Sequence, residues 1–215
     1  MSRDLFAALD RDERVELGAG AVVLRGFALP AEAEIAAALL DVAAGAPFRH
    51  MVTPGGFTMS VAMTNCGELG WVSTPRGYRY SPVDPESGAP WPKMPGVFAR
   101  LARDAAAAGG FPGFAPDACL VNRYDPGARL TLHQDKDERD FVHPIVSVSL
   151  GVPAVFLFGG LTRKERPARV TVEHGDVVVW GGPARLRYHG VAPLAEARHA
   201  FAGERRVNLT LRCAG

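Results

Sequence analysis

The chain has 215 residues, 47% of them hydrophobic and 22% charged, which suits a soluble globular protein with one sizeable core and excludes disordered and fibrous classes. Its 24 basic and 23 acidic side chains leave a net charge of +1, so a nucleic-acid partner would need a local basic patch rather than a global field. Three cysteines, Cys66, Cys119 and Cys213, show no CxxC spacing, which argues against a disulfide framework and for a reducing compartment.

The N-terminal extension, residues 1–20, carries Asp4, Asp10, Asp12 and Glu13 and no apolar segment, so a cytoplasmic protein without a membrane span is expected. Ala21 to Leu24 reads as a short strand. Pro30 then opens a helical pattern in which Ile35, Leu39 and Val42 recur until Gly45 and Pro47 stop it. From Phe57 to Thr64 the side chains alternate strictly, with Phe57, Met59, Val61 and Met63 on one face, which predicts a half-buried strand whose methionines belong to the core. Between Gly67 and Pro95 the chain is rich in Gly, Pro and Ser yet holds Trp71, Tyr78, Tyr80 and Trp91, the composition of a surface element that does more than connect. A second helix, Val97 to Ala108, ends at Gly109-Gly110.

From Asp117 onward short alternating runs follow one another with turn residues between them. They are Ala118 to Tyr124, Arg129 to His133, Ile145 to Leu150, Ala154 to Phe158, Val170 to Glu173, Val177 to Trp180, Leu186 to His189 and Arg206 to Arg212. With no helical crossover among them, they predict a mostly β protein with flanking helices (α+β) built on an antiparallel, cupin-like jelly roll, a double-stranded β-helix, with both helices buttressing one face. Fold alone decides nothing about activity.

The sharpest chemical feature is Leu130-Thr131-Leu132-His133-Gln134-Asp135 with a later His189. In an extended strand His133 and Asp135 share a face, so two ligands are aimed together. A second imidazole from another strand would complete two histidines and one carboxylate with open positions, the facial arrangement of non-haem Fe(II) oxygenases, whereas zinc usually prefers a closed tetrahedral shell. A lone H-x-D is commonly a surface or capping pair, and His50, His143, His174 and His199 are read that way, His174 within a tight turn. The C-terminal strand raises the odds of a site. Arg206, Asn208, Thr210 and Arg212 fall on one face and Val207, Leu209 and Leu211 on the other. Two guanidiniums on the inward face of a roll are costly unless a ligand satisfies them, and a dicarboxylate would do so through paired forks. Asn122 and Tyr124 share a face with Leu120 and could reach the same anion. A solvated arginine face on an edge strand is the alternative.

Asn122-Arg123-Tyr124, His133-Gln134-Asp135-Lys136-Asp137, His189 and Arg206 to Arg212 together resemble the AlkB family of Fe(II)- and 2-oxoglutarate-dependent nucleic-acid dealkylases, most strongly its bacterial DNA-repair members. The resemblance extends through Met51 to Gly56, Met59 to Gly67 and Gly175 to Gly182, and covers nearly the whole chain from about Ala21. It implies that His133, Asp135 and His189 ligate Fe(II), and that Leu120, Asn122, Tyr124, Ser147, Arg206, Asn208 and Arg212 carry 2-oxoglutarate, with Arg206 on the carboxylate remote from the metal. It also implies base and nucleotide contacts at Trp71, Tyr78, Arg79, Tyr80 and Arg163. Residues 21–115 would then be a helical buttress with a nucleotide-recognition lid, and 116–215 the dioxygenase core, within one compact domain. Val207 and Leu211 depart from aromatic residues common in relatives, and Asp137 to His143 is more charged than the family pattern, with Glu138, Arg139 and Asp140.

A base methylated on its pairing edge is cationic, so it gains from aromatic faces and from a carboxylate; Asp137 is the candidate carboxylate. Arg163, Lys164, Arg166 and Arg169 form a basic cluster that is either a phosphate track or a solvated loop. The implied reaction uses Fe(II), dioxygen and 2-oxoglutarate to hydroxylate an N-methyl carbon of 1-methyladenine or 3-methylcytosine in single-stranded DNA, with RNA a further candidate, releasing formaldehyde, succinate and carbon dioxide. A monomer is expected, since no heptad pattern is present. Rival readings are an oxygenase of the same class acting on a protein or small metabolite, a non-catalytic nucleic-acid binder and, more distantly, a zinc hydrolase.

Overall fold

Alternation decides which strand faces meet apolar neighbours, and in this chain it produces two separate apolar layers on either side of one sheet. A computed structural model describes residues 14–215, so Asp4, Asp10, Asp12 and Glu13 lie outside the described residues. In chain order the elements are β1 (Arg14–Gly18), β2 (Ala21–Leu24), α1 (Glu32–Gly45), β3 (Arg49–Val52), β4 (Thr58–Gly67), β5 (Gly70–Thr74), β6 (Gly77–Ser81) and α2 (Gly96–Ala108). There follow β7 (Ala118–Tyr124), β8 (Leu130–His133), β9 (Ile145–Gly151), β10 (Ala154–Phe158), β11 (Ala168–Val172), β12 (Val177–Trp180), β13 (His189–Val191) and β14 (Arg206–Arg212). An eight-stranded sheet runs β1-β2-β12-β9-β14-β7-β4-β3 and a four-stranded sheet β11-β10-β13-β8, with β5-β6 a separate hairpin. All the strand pairs are antiparallel, as a jelly roll requires.

The large sheet turns Val121, Val146, Val148, Leu209 and Leu211 outward against Ile35 and Val42 of α1 and Phe98, Leu101 and Ala105 of α2. Burying each large aliphatic side chain here is worth about 1.5–3 kcal/mol, so the helices are held by this layer rather than by helical propensity. The other face turns Met63, Leu120, Tyr124 and Trp180 toward Phe156 and Phe158 of the small sheet. That inner layer is where polar residues of β7, β9 and β14 meet a cavity.

Three elements differ from expectation. Arg14–Gly18, expected to be part of a polar extension, is a strand pairing with β2, because Val15 and Leu17 alternate with Arg14 and Glu16 and pack on the inner layer. β4 is half-buried only at its start; from Val61 to Cys66 both faces are covered, since α1 lies over the side carrying Thr64, whose hydroxyl donates to the Ala46 carbonyl at 2.6 Å. The Leu186 to His189 run is not a strand. The chain leaves a turn at Gly182–Ala184 and enters β13 only at His189.

His174 closes the turn between β11 and β12, where Gly175 takes a left-handed φ of +86°. The Gly151 N–H donates to its Nδ1 at 2.9 Å, so Nε2 carries the ring proton and faces Glu32 Oε1 at 3.5 Å, while His199 stacks on the ring at 4.4 Å. Burial and the neighbouring His199 push its pKa below the ordinary histidine value, against the opposite pull of Glu32 and Asp176. A histidine of lowered folded pKa binds a proton more readily when unfolded, so its contribution to stability falls as pH drops from about 6.5 toward the folded value. We expect His174→Phe, which keeps the ring stack, to melt lower at neutral pH but to lose less of its melting temperature between pH 7 and pH 5 than the wild type. Equal losses by calorimetry would contradict this.

Candidate active site

β8 and β13 pair antiparallel with His133 directly opposite His189, and the register shifts between His189 and Val191. Gly190 allows this approach: a Cβ there would stand 2.6 Å from the Leu130 carbonyl oxygen. The two imidazole centroids lie 4.5 Å apart. Asp135, two residues beyond the end of β8, returns its carboxylate to them, with Oδ1 3.7 Å from His133 Nε2 and Oδ2 3.5 Å from His189 Nε2. One ligand atom from each lies within 4.8 Å of the others. Each Nδ1 meets a backbone carbonyl, Thr131 at 2.8 Å and Arg187 at 3.0 Å. Donation to those carbonyls leaves both Nε2 lone pairs facing Asp135, the tautomer a metal needs. Desolvation and the neighbouring His189 push the His133 pKa down to about 4, so its ring is neutral at neutral pH. Burial works to raise the Asp135 carboxyl, but the Arg212 guanidinium outweighs it and holds it well below the usual range. Two imidazole nitrogens and one carboxylate oxygen suit a divalent first-row metal.

The triad lines a cavity of about 690 Å3 whose walls also include Leu120, Asn122, Tyr124, Ser147, Arg206, Asn208, Thr210 and Arg212. Their alternation on β7, β9 and β14 turns every one of these side chains inward. Asn208 Nδ2 donates to Ser147 Oγ at 2.8 Å, and Thr210 donates to Asn208 Oδ1 at 2.9 Å. Arg206 is 2% exposed and lies with its guanidinium carbon 4.9 Å from the Tyr124 ring centroid. Its Nη2 donates to Ser149 Oγ at 2.8 Å, while Nε and Nη1 have no partner, nor has Asn122 Oδ1. Burial lowers its pKa, as expected for a guanidinium away from water. An unpaired cation at the back of a polar cavity is strongly unfavourable without an anion, so this end fits a carboxylate of 2-oxoglutarate. Ser149 was not among the sequence candidates, although its spacing from Ser147 on β9 gives it the same face.

At the mouth, Trp71 of β5 stacks on Tyr78 of β6 with centroids 5.0 Å apart and planes at 21°, and the indole Nε1 donates to Asp137 Oδ2 at 2.8 Å. Trp71, Tyr78 and Asp137 line the same cavity as the triad, whereas Arg79, Tyr80 and Arg163 do not. Arg79 and Arg163 are exposed. Tyr80 turns its hydroxyl inward to Glu138 Oε1 at 2.9 Å, and burial raises its pKa well above the ordinary phenol value. Met59 and Met63, read as core, line the cavity as well as the inner apolar layer, because the first half of β4 forms one of its walls. Glu138, read as part of a charged stretch, is buried.

The 2OG-Fe(II) oxygenase superfamily model matches residues 20–212. The chain is 57% identical over 212 residues, 99% of its length and 98% of the relative's, to the alpha-ketoglutarate-dependent dioxygenase AlkB of Escherichia coli K12. It is 45% identical over 86% of its length to an AlkB homolog of Caulobacter vibrioides, covering 82% of that relative. A solved structure of OsALKBH1 superposes with a TM-score of 0.83 at 31% identity, covering 93% of this chain and 99% of that one. The chain therefore belongs to the 2OG-Fe(II) oxygenase superfamily and is an Fe(II)/2-oxoglutarate-dependent dioxygenase, and its triad of His133, Asp135 and His189 fits the binding of iron. Within that superfamily it is a member of the AlkB family.

Proposed function

We propose that the protein repairs alkylated nucleobases by oxidative demethylation, taking 1-methyladenine and 3-methylcytosine in single-stranded DNA, and RNA as a further substrate. The observation that carries the reading is that one cavity is lined at once by the two-histidine, one-carboxylate triad, by a buried guanidinium with two nitrogens free of hydrogen bonds, and by the Trp71–Tyr78 stack. Relatives that are an alpha-ketoglutarate-dependent dioxygenase in Escherichia coli and a nucleic acid dioxygenase in Homo sapiens support it.

His133, Asp135 and His189 hold the metal; Arg206 grips the far carboxylate of 2-oxoglutarate, with Asn122, Tyr124, Ser147, Asn208 and Arg212 around the diacid and Leu120 packing on it. Fe(II), when bound with 2-oxoglutarate and dioxygen, supplies the oxidising power to hydroxylate an N-methyl carbon. The protein's own share is orientation and exclusion of water. Trp71 and Tyr78 offer stacking worth about 1–3 kcal/mol per base, and Asp137 fixes the indole through one oxygen while its other is available to a cationic ring or exocyclic amine. A base methylated on its pairing edge cannot pair, so extracting it costs less than extracting an intact one. Arg79, Tyr80 and Arg163 complete the proposed nucleotide contacts from outside the cavity. In this reading residues 21–115 are buttress and lid and 116–215 the core of one domain, acting as a monomer in the cytoplasm; no helix among the described residues is long and apolar enough to cross a membrane.

The test is mass spectrometry of a 1-methyladenine oligonucleotide incubated with protein, Fe(II) and 2-oxoglutarate in air. Loss of one methyl mass, dependent on 2-oxoglutarate, is the expected result. An untouched oligonucleotide with succinate formed on another substrate would move the reading to the protein or metabolite class.

A further inference from the structure

A carboxylate buried beside two guanidiniums either neutralises them or steers them, and its contacts tell which. Glu138 has 1% of its side chain exposed and does not line the cavity, so it is no part of the substrate surface. Its Oε1 accepts from the Tyr80 hydroxyl at 2.9 Å and lies 3.3 Å from Arg212 Nε. Its Oε2 lies 3.1 Å from Arg185 Nη2, close enough for ion pairing but off the direction of a hydrogen bond. Arg212 meanwhile grips Asp135 Oδ2 from Nε at 3.0 Å and Nη2 at 2.6 Å, and its Nη1 reaches the Tyr80 oxygen at 3.3 Å. Arg185 donates to the Asp135 backbone carbonyl at 2.8 Å. One guanidinium is thus divided between a metal ligand and a residue with no ligand role, and the hairpin β5–β6 is bonded to that residue.

The division matters because the Arg212 charge pulls on the same Asp135 carboxylate that would hold a metal. Asp135 and Glu138 balance Arg185 and Arg212 in charge. Without Glu138 the full Arg212 charge falls on Asp135 and the pocket gains one positive charge. Both effects weaken attraction for a divalent cation. We propose that Glu138 is a positioning residue that shares Arg212 with Asp135, keeps the Asp135 carboxylate available to the metal, and ties the position of the β5–β6 hairpin to that balance through Tyr80. The proposal rests on the reading of His133, Asp135 and His189 as the metal site.

Mn(II) affinity, read from the free Mn(II) signal by electron paramagnetic resonance without 2-oxoglutarate or oligonucleotide, tests it independently of turnover. Glu138→Gln should bind Mn(II) about tenfold more weakly than wild type, in the range found for partners of metal ligands. Glu138→Asp, which keeps the charge, should recover part of the loss. A folded Glu138→Gln with wild-type Mn(II) affinity overturns the proposal, whereas a wild type that binds no Mn(II) overturns the metal-site reading beneath it. Where Glu138→Gln does not fold, Tyr80→Phe decides. Mn(II) should tighten wild-type binding of a 1-methyladenine oligonucleotide by about fivefold or more, and that factor should fall toward one in Tyr80→Phe, which removes the hydroxyl link but no cavity-lining group. A factor of one in the wild type, or an unchanged factor in the variant, overturns the tie to the hairpin.

Discussion

Arg206→Met is expected to abolish useful binding of 2-oxoglutarate while raising the melting temperature of the ligand-free protein. The two effects share one cause. In the protein without cosubstrate, Arg206 is a buried cation whose Nε and Nη1 make no hydrogen bond and whose neighbours Ser149 and Tyr124 carry no compensating negative charge. Relieving an uncompensated buried polar group is worth about 1–3 kcal/mol, and for a chain of this size each kcal/mol is about 2–4 °C. Methionine is unbranched and fills an irregular apolar space well. With 2-oxoglutarate present the sign reverses. Truncating one partner of a desolvated charge pair costs about 2–5 kcal/mol, or about 30-fold to several thousand-fold in affinity. Saturating 2-oxoglutarate should therefore raise the melting temperature of the wild type and leave that of the variant unmoved. Calorimetry of both proteins with and without the diacid reads all four values. A variant less stable than wild type in the absence of ligand would show that Arg206 serves the fold rather than the cosubstrate.

Such opposition between stability and function is where sequence patterning speaks most clearly. β14 was legible residue by residue because alternation put Arg206, Asn208, Thr210 and Arg212 on the face that a jelly roll buries, and apolar Val207, Leu209 and Leu211 beneath the helices. β7 followed for the same reason, with Asn122 and Tyr124 inward. The triad was legible from type and spacing, though Asp135 reaches the imidazoles from beyond the end of β8 rather than along it. What alternation could not give were contacts made across long stretches of chain. Glu138 reads as one more charge in Asp137 to Asp140, but Tyr80 from β6, Arg185 and Arg212 from β14 gather around it in the fold. Tyr80 likewise reads as a third aromatic platform, but in the hairpin it sits opposite Trp71 while its hydroxyl turns toward Glu138. β1 escaped notice because Arg14 and Glu16 dominate its composition, although Val15 and Leu17 carry the inward face.

Asp135→Asn should also stop catalysis, with the opposite effect on the fold. The substitution keeps the size of the side chain and removes the charge that two arrangements depend on. Toward the metal it takes away the one anionic ligand of the triad, and since losing a mere partner of a ligand costs about 10–100-fold, turnover should fall by more than about 100-fold. Toward the protein it removes the carboxylate that Arg212 holds through Nε and Nη2. Arg212 keeps Glu138 and the Tyr80 oxygen, so its charge is not stranded, but the buried group of Asp135, Glu138, Arg185 and Arg212 becomes net positive. Loss of one charged partner with others remaining is worth about 1–3 kcal/mol, so the metal-free variant should melt several degrees below wild type. The pair of variants then separates two roles for buried charge in one cavity. Asp135 is compensated before any ligand arrives and stabilises the empty site; Arg206 waits uncompensated for its diacid. Both variants inactive, with melting temperatures displaced in opposite directions, is the expected pattern. Displacement in the same direction would mean that the empty cavity does not distinguish its two ends electrostatically.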